Sequence, residues 1–219
     1  MIKAIIFDMD GTVLNTIDDI HRAVNHALEM KNCPTKTLDE VKRAVGNGAR
    51  KLIERVCPSS FGADELDEVF HLYQNYYDAH NNDFTGPYEG ILTLLETLKK
   101  RGYLLAVVSN KFEHLVQGLN NDVFKHLFDV AIGEVKGIPI KPAPDMVYKA
   151  LDVLGVQHHE TLFVGDSEVD MDTATNAKLT SVGVTWGFRS EELLRKHQAN
   201  YIIHQPLELL EIMDEVNLK

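Results

Sequence analysis

Cysteine is nearly absent: only Cys33 and Cys57 occur in 219 residues. Two thiols make no disulfide framework, so a buried core must carry the fold, and a reducing cytoplasmic setting is expected. Proline, at 7, and glycine, at 14, are too few for collagen-like or low-complexity classes. Positive charge is in deficit, with 22 Lys and Arg against 33 Asp and Glu and a net of −11. That balance speaks against nucleic acid or an anionic membrane as the partner, but it allows a small anion in a local positive pocket. Long apolar runs are missing too. The first, Ala4-Ile5-Ile6-Phe7, stops at Asp8 and is too short for a secretion signal or a membrane span.

What the chain does have is a set of short, β-branched, nearly continuous apolar runs. They begin with Ala4–Asp8, Leu104–Ser109 and Phe128–Gly133, and continue with Thr161–Asp166, Ser181–Thr185 and Tyr201–Ile203. Apolarity without alternation predicts strands covered on both faces, as in a parallel sheet. Helical stripes lie between them: Ile91, Leu94, Leu95 and Leu98, closed by Gly102, then Met146, Val147, Ala150, Leu151 and Leu154, closed by Gly155. Between the first two strands the patterns are helical only. Thr37 and Glu40 form a capping box there, Gly46-Asn47-Gly48 is a break, and Leu66, Val69, Phe70, Tyr73, Tyr76 and Tyr77 line a last helix. The predicted fold is α/β: a doubly wound, Rossmann-like parallel sheet core with a helical cap domain inserted after the first strand. The core comprises residues 1–15 and 83–219 and the cap 16–82, with an exit hinge from Asn81-Asn82 to Gly86-Pro87.

Ligands of such sheets gather at the carboxyl ends of the strands. Asp8 and Asp10 stand there after the first run, Ser109 after the second and Asp166 after the fourth, with Lys141 in a preceding loop. Converging carboxylates repel, and a divalent cation relieves the repulsion. Oxygen donors of this kind suit Mg²⁺. Ser109 and Lys141 supply a hydroxyl donor and a positive charge for an anion. A helix start near Asn110-Lys111 is expected to add backbone donors.

In order and spacing, Asp8-Met9-Asp10-Gly11-Thr12, Val107-Val108-Ser109-Asn110-Lys111, Lys141-Pro142 and Gly165-Asp166-Ser167-Glu168-Val169-Asp170 resemble the four motifs of the haloacid-dehalogenase superfamily. Within it the chain is similar to phosphoglycolate-phosphatase-like hydrolases, notably at Val45-Gly46-Asn47-Gly48-Ala49. The resemblance implies a Mg²⁺-dependent phosphatase acting on a small phosphorylated metabolite, with phosphoglycolate leading. Other phosphomonoesterases, pyrophosphatases and phosphosugar mutases are alternatives, and a phospho-aspartate signalling module or a silent scaffold lies outside that class. It implies Asp8 as nucleophile and Asp10 as general acid and base. Mg²⁺ falls to Asp8, the Asp10 carbonyl and Asp166, with Asp170 supporting its water shell. Phosphate binding falls to Gly11, Thr12, Ser109, Asn110 and Lys141. The cap loop Gly46-Asn47-Gly48 with Arg50 is a candidate contact for a second anionic group, since a helix start favours anions. His158-His159 and the other histidines have no zinc setting, the cysteines read as packing residues, and the roles of Glu168 and Trp186-Gly187-Phe188-Arg189 stay open.

Overall fold

The computed structural model describes residues 1–218. The chain opens with β1 (Ala4–Phe7) and β2 (Leu14–Asn15), then α1 (Ile17–Met30), α2 (Leu38–Ala44), α3 (Gly48–Val56) and α4 (Ala63–His80). After β3 (Gly86–Pro87) come α5 (Ile91–Lys100), β4 (Leu104–Phe112), α6 (Glu113–Asp122), β5 (Val130–Glu134) and α7 (Asp145–Leu154). The chain closes with β6 (Thr161–Gly165), α8 (Glu168–Ala177), β7 (Thr180–Val184), α9 (Glu191–Lys196), β8 (Tyr201–Ile203) and α10 (Glu208–Leu218). It divides into two compact units, one formed by Met1–Leu14 with the segment from Pro87 onward, the other by Asn15–Gly86.

The first unit is built on a parallel six-stranded sheet in the order β5-β4-β1-β6-β7-β8. β1 is central, with Ile5 opposite Leu105 on one side and Leu162 on the other. Strand side chains alternate between faces, so β1 feeds two cores. Ile5 and Phe7 join a cluster with Leu94, Leu98, Val116 and Met213, while Ala4 and Ile6 join Val147, Ala150, Phe163 and Ala174. Helices on both faces explain why the strands read as unbroken apolar runs. From β1 the chain builds outward through β4 and β5 and then returns to β6 on the other flank. The ends of β1, β4 and β6 therefore meet where the winding reverses, which is where such sheets hold ligands.

The second unit is helical. Ile17, Ile20, Ala23, Val24, Ala27 and Leu28 are buried along α1, which packs against α4. The expected six-residue stripe of α4 is narrower than predicted. Val69, Tyr73 and Tyr77 are buried, whereas Tyr76 lies at the rim, with ring centroids 4.3 Å from His26 and 4.4 Å from His80. The capping box of α2 is formed: Glu40 N–H donates to Thr37 Oγ1 at 3.3 Å and Thr37 N–H donates to Glu40 Oε2 at 2.8 Å. This unit ends after Gly86 rather than at 82, and the buried Asp19 gives the reason. Its carboxylate accepts from Phe84 N–H (3.0 Å), Thr85 N–H (2.9 Å) and Thr85 Oγ1 (2.8 Å), so those residues stay with α1. No helix among the described residues is long and apolar enough to cross a membrane.

Candidate active site

Asp8 is the first residue beyond β1, and its N–H still donates to Val164 O at 2.9 Å. The chain then turns tightly, with the Met9 carbonyl accepting from the N–H groups of Thr12, Val13 and Leu14 at 3.3, 3.1 and 3.0 Å. Gly11 makes the turn possible: its φ of +92° is left-handed, and a side chain there would strike the Asp166 carboxylate. The Gly11 N–H donates to Leu14 O at 2.8 Å. Thr12 Oγ1 donates inward, to Asp166 Oδ1 at 3.3 Å and to Asp8 Oδ2 at 3.5 Å.

Lys141 bridges the carboxylates. Its Nζ lies 2.6 Å from Asp8 Oδ1 and 2.7 Å from Asp170 Oδ1, and all three side chains are buried. Burial opposes the lysine's charge, but Asp170 and Asp8 outweigh it and raise the Lys141 pKa, so the ammonium persists through neutral pH. Asp170 has a second task at the start of α8. Its Oδ2 accepts from Ser167 N–H (3.0 Å) and Ser167 Oγ (2.6 Å), closing a capping box one turn before the bridge to Lys141.

The end of β4 departs from expectation. The strand does not stop at Ser109 but runs to Phe112, with a register shift against β5 after Val108, and α6 begins only at Glu113. The predicted helix start at Asn110-Lys111 is therefore absent. In extended chain, neighbours alternate sides. Asn110 turns to the Lys141 backbone, accepting from its N–H (2.8 Å) and donating to its carbonyl (2.9 Å). Its amide thus fixes where Lys141 stands. Ser109 is buried and its Oγ accepts from Lys111 N–H at 3.3 Å. Lys111, whose side chain has no role in the motif reading, places its Nζ 2.8 and 3.2 Å from the two oxygens of Asp10.

The segment after β7 closes round Asp166. Phe188 N–H donates to Asp166 Oδ2 at 2.6 Å, Trp186 Nε1 donates to Thr12 O at 2.9 Å, and Gly187 leaves no room for a side chain against Asp166. Arg189 Nε pairs with Glu168 Oε2 at 2.8 Å. Glu168 and 186–189 thus frame the carboxylates. Tyr88, also missed, is partly buried near Asp166 and Asp10, and burial with those charges raises its pKa.

Oxygens of Asp8, Asp166 and Asp170 lie within 4.8 Å of one another. Burial pushes the Asp8 carboxyl up to about 7 although Lys141 opposes the shift, and burial with the Asp170 and Asp8 charges holds Asp166 well above the usual carboxylate range. Three buried carboxylates with one bridging lysine are short of positive charge. An all-oxygen donor set with that deficit fits Mg²⁺. The Asp10 carboxylate is outside the triad and engaged with Lys111.

The remaining candidates belong to the helical unit. Asn47 precedes α3, and Gly46 and Gly48 have φ of +125° and +81°. The residue holding this loop is Arg55, which donates to Ala44 O at 2.8 Å and Asn47 Oδ1 at 2.7 Å. Arg50 does not reinforce it: its guanidinium is paired with Asp67 and lies 3.5 Å from Glu54 Oε1. Two acidic neighbours thus hold the Arg50 guanidinium in a surface ion pair.

Known proteins resemble this arrangement over nearly its whole length. A phosphoglycolate phosphatase of Aquifex aeolicus is 30% identical over 97% of this chain and 97% of its own. A pyrophosphatase PpaX of Bacillus mycoides is 26% identical over 99% of each. The solved structure of a Lactobacillus delbrueckii subsp. bulgaricus protein, predicted to be a phosphoglycolate phosphatase, superposes with a TM-score of 0.92 at 36% identity, covering 96% of this chain and 97% of that one. The haloacid dehalogenase-like hydrolase family model matches residues 5–184, a span that holds every carboxylate and lysine of the site, and the chain belongs to that family.

Proposed function

We propose that the protein is a Mg²⁺-dependent phosphatase of a small phosphorylated metabolite, working through an aspartyl-phosphate. The observation carrying this reading is the buried triad of Asp8, Asp166 and Asp170 beside Lys141 at the strand ends. Asp8 attacks phosphorus, and the leaving oxygen takes a proton from Asp10. Asp10 then withdraws a proton from the water that hydrolyses the acyl phosphate. Lys141 and the Ser109 hydroxyl balance charge on the phosphoryl oxygens. Asp8, Asp166 and the Asp10 carbonyl would hold Mg²⁺, with Asp170 supporting its water shell, and the ion would supply charge neutralisation to a dianion approaching carboxylates. Phosphoglycolate is the leading substrate because two of the similar proteins carry that name, and pyrophosphate is second on the same ground.

Phosphate release from phosphoglycolate, pyrophosphate and an aryl phosphate, with Mg²⁺ and with chelator, tests the reading. Turnover should need Mg²⁺ and fall to background in Asp8→Asn, which keeps the shape of the side chain. Asp10→Asn should lose about 10²- to 10⁴-fold with an alkyl phosphate and much less with an aryl phosphate, whose leaving group needs little protonation. Full activity in Asp8→Asn would overturn the mechanism.

A further inference from the structure

The Lys111–Asp10 pair is not explained by the chemistry above, which needs Asp10 but asks nothing of Lys111. We propose that Lys111 selects phosphate compounds whose leaving group is itself an anion, with the negative group only a few bonds from the bridging oxygen. The inference rests on the phosphatase reading and on Asp10 serving the leaving group.

Three cations stand among the acids of this site. Lys141 lies between Asp8 and Asp170, within 2.6 and 2.7 Å, and neither aspartate is on the leaving-group side of the proposed reaction. Arg189 pairs with Glu168. Lys111 alone of the three pairs with the acid that must touch the leaving oxygen, bridging both its oxygens at 2.8 and 3.2 Å. Its side chain is 3% exposed, whereas that of Asp10 is 15% exposed, the most open of Asp8, Asp10 and Asp170. Asp10 is therefore the more open member of the pair, with the ammonium held against both of its oxygens.

A buried ion pair contributes little to stability over an apolar pair of similar volume, so folding gives a weak reason for a lysine here. An ammonium is a compact charge with three donors, able to serve Asp10 and a second anion together, unlike a planar guanidinium locked in a fork. Lys111 is carried there by the tail of β4, where its N–H also donates to Ser109 Oγ at 3.3 Å. The phosphoryl oxygens and the leaving group would thus be read by one strand, Ser109 for the first and Lys111 for the second. A carboxylate and a phosphoryl group on the leaving side satisfy this chemistry equally, and both sources are small diacids.

The test compares kcat/KM for phosphoglycolate, pyrophosphate and ethyl phosphate, with Mg²⁺, in the wild type, Lys111→Met and Lys111→Arg. Ethyl phosphate matches phosphoglycolate in having a poor alkoxide leaving group but lacks the second charge. Lys111→Met should lose about 10- to 100-fold more on the anionic-leaving-group substrates than on ethyl phosphate, the scale of one charge-assisted hydrogen bond. Lys111→Arg should recover most of that difference. Loss on phosphoglycolate alone identifies a carboxylate reader, and loss on pyrophosphate as well identifies a general anion reader. An equal factor on phosphoglycolate and ethyl phosphate overturns the proposal and leaves Lys111 as a positioning residue for Asp10. If Lys111→Met does not fold, judged by its melting curve, Lys111→Gln takes its place. A wild type inactive on every substrate removes the phosphatase reading itself, which a wild type active without discrimination in the variant does not.

Discussion

One cation between two carboxylates occurs in each unit of the chain, and the settings differ. Lys141 lies between Asp8 and Asp170 with side-chain exposures of 2%, 9% and 1%. Arg50 lies between Asp67 and Glu54 with exposures of 42%, 55% and 33%. The buried set is electrostatically under-compensated: burial raises the Asp8 pKa even with the lysine in contact. Water screens the surface set and asks nothing further of it. The same three-residue chemistry is therefore strongly coupled in one place and screened by water in the other, because desolvation multiplies the worth of each charge.

Breaking the buried set should have the largest effect. Lys141→Ala removes the charge shared by both carboxylates and, by the cost of breaking a buried pair, should destabilise the metal-free protein by about 3–5 kcal/mol. Hydrolysis should fall for good and poor leaving groups alike, since the lost charge serves the phosphoryl group common to both. Melting curves and paired aryl and alkyl assays check both halves. A loss confined to alkyl substrates would place Lys141 on the leaving-group side and erase the distinction drawn between it and Lys111.

The pH dependence sharpens the comparison. In the metal-free protein the Asp8 carboxyl titrates at about 7 against 3.8 for the unperturbed group. Between those values the folded state keeps a proton that the unfolded state has lost, so this group's contribution is full below 3.8 and is lost as pH rises through 7. A cation needs the same carboxylates without protons. Added Mg²⁺ should accordingly raise the melting temperature more at pH 8 than at pH 5.5. An equal shift at both would mean that the ion binds elsewhere.

The surface set should yield the smallest effects. Arg50→Ala should change stability by no more than about 1 kcal/mol, as exposed pairs do. Arg55→Ala should cost at least as much, at about 1 kcal/mol, because it strips the Ala44 carbonyl and the Asn47 amide of a donor. Chemical denaturation of the two variants ranks them, and a larger loss for Arg50→Ala would reverse the assignment of the loop's support.

Legibility in the sequence followed the range of the interaction. The capping box at Thr37, the α1 stripe and the strand ends at Asp8 and Asp166 are set by neighbours within a few residues, and they read directly from the sequence. The end of β4 was misread because Ser109-Asn110 is also good helix-cap chemistry, and the choice between cap and strand was made by pairing with β5. Lys111 meets Asp10 only through that strand tail, a pairing between residues 101 positions apart. Arg50 shows the same division: its proximity to Gly48 along the chain is local, whereas its pairing with Asp67 depends on how α3 meets α4.

The sequence by itself determined the layered α/β order, the helical insertion and the acidic strand ends, because periodicity and local capping need no distant partner. Tertiary structure alone decided which charges meet. Lys111 reaches Asp10 across 101 positions, Lys141 reaches Asp8 across 133, and Phe188 turns its N–H onto Asp166 across 22. Such pairings follow from the strand order β5-β4-β1-β6-β7, which brings the segments after five separate strands together. The burial created by packing on both sheet faces then turns that meeting of charges into chemistry.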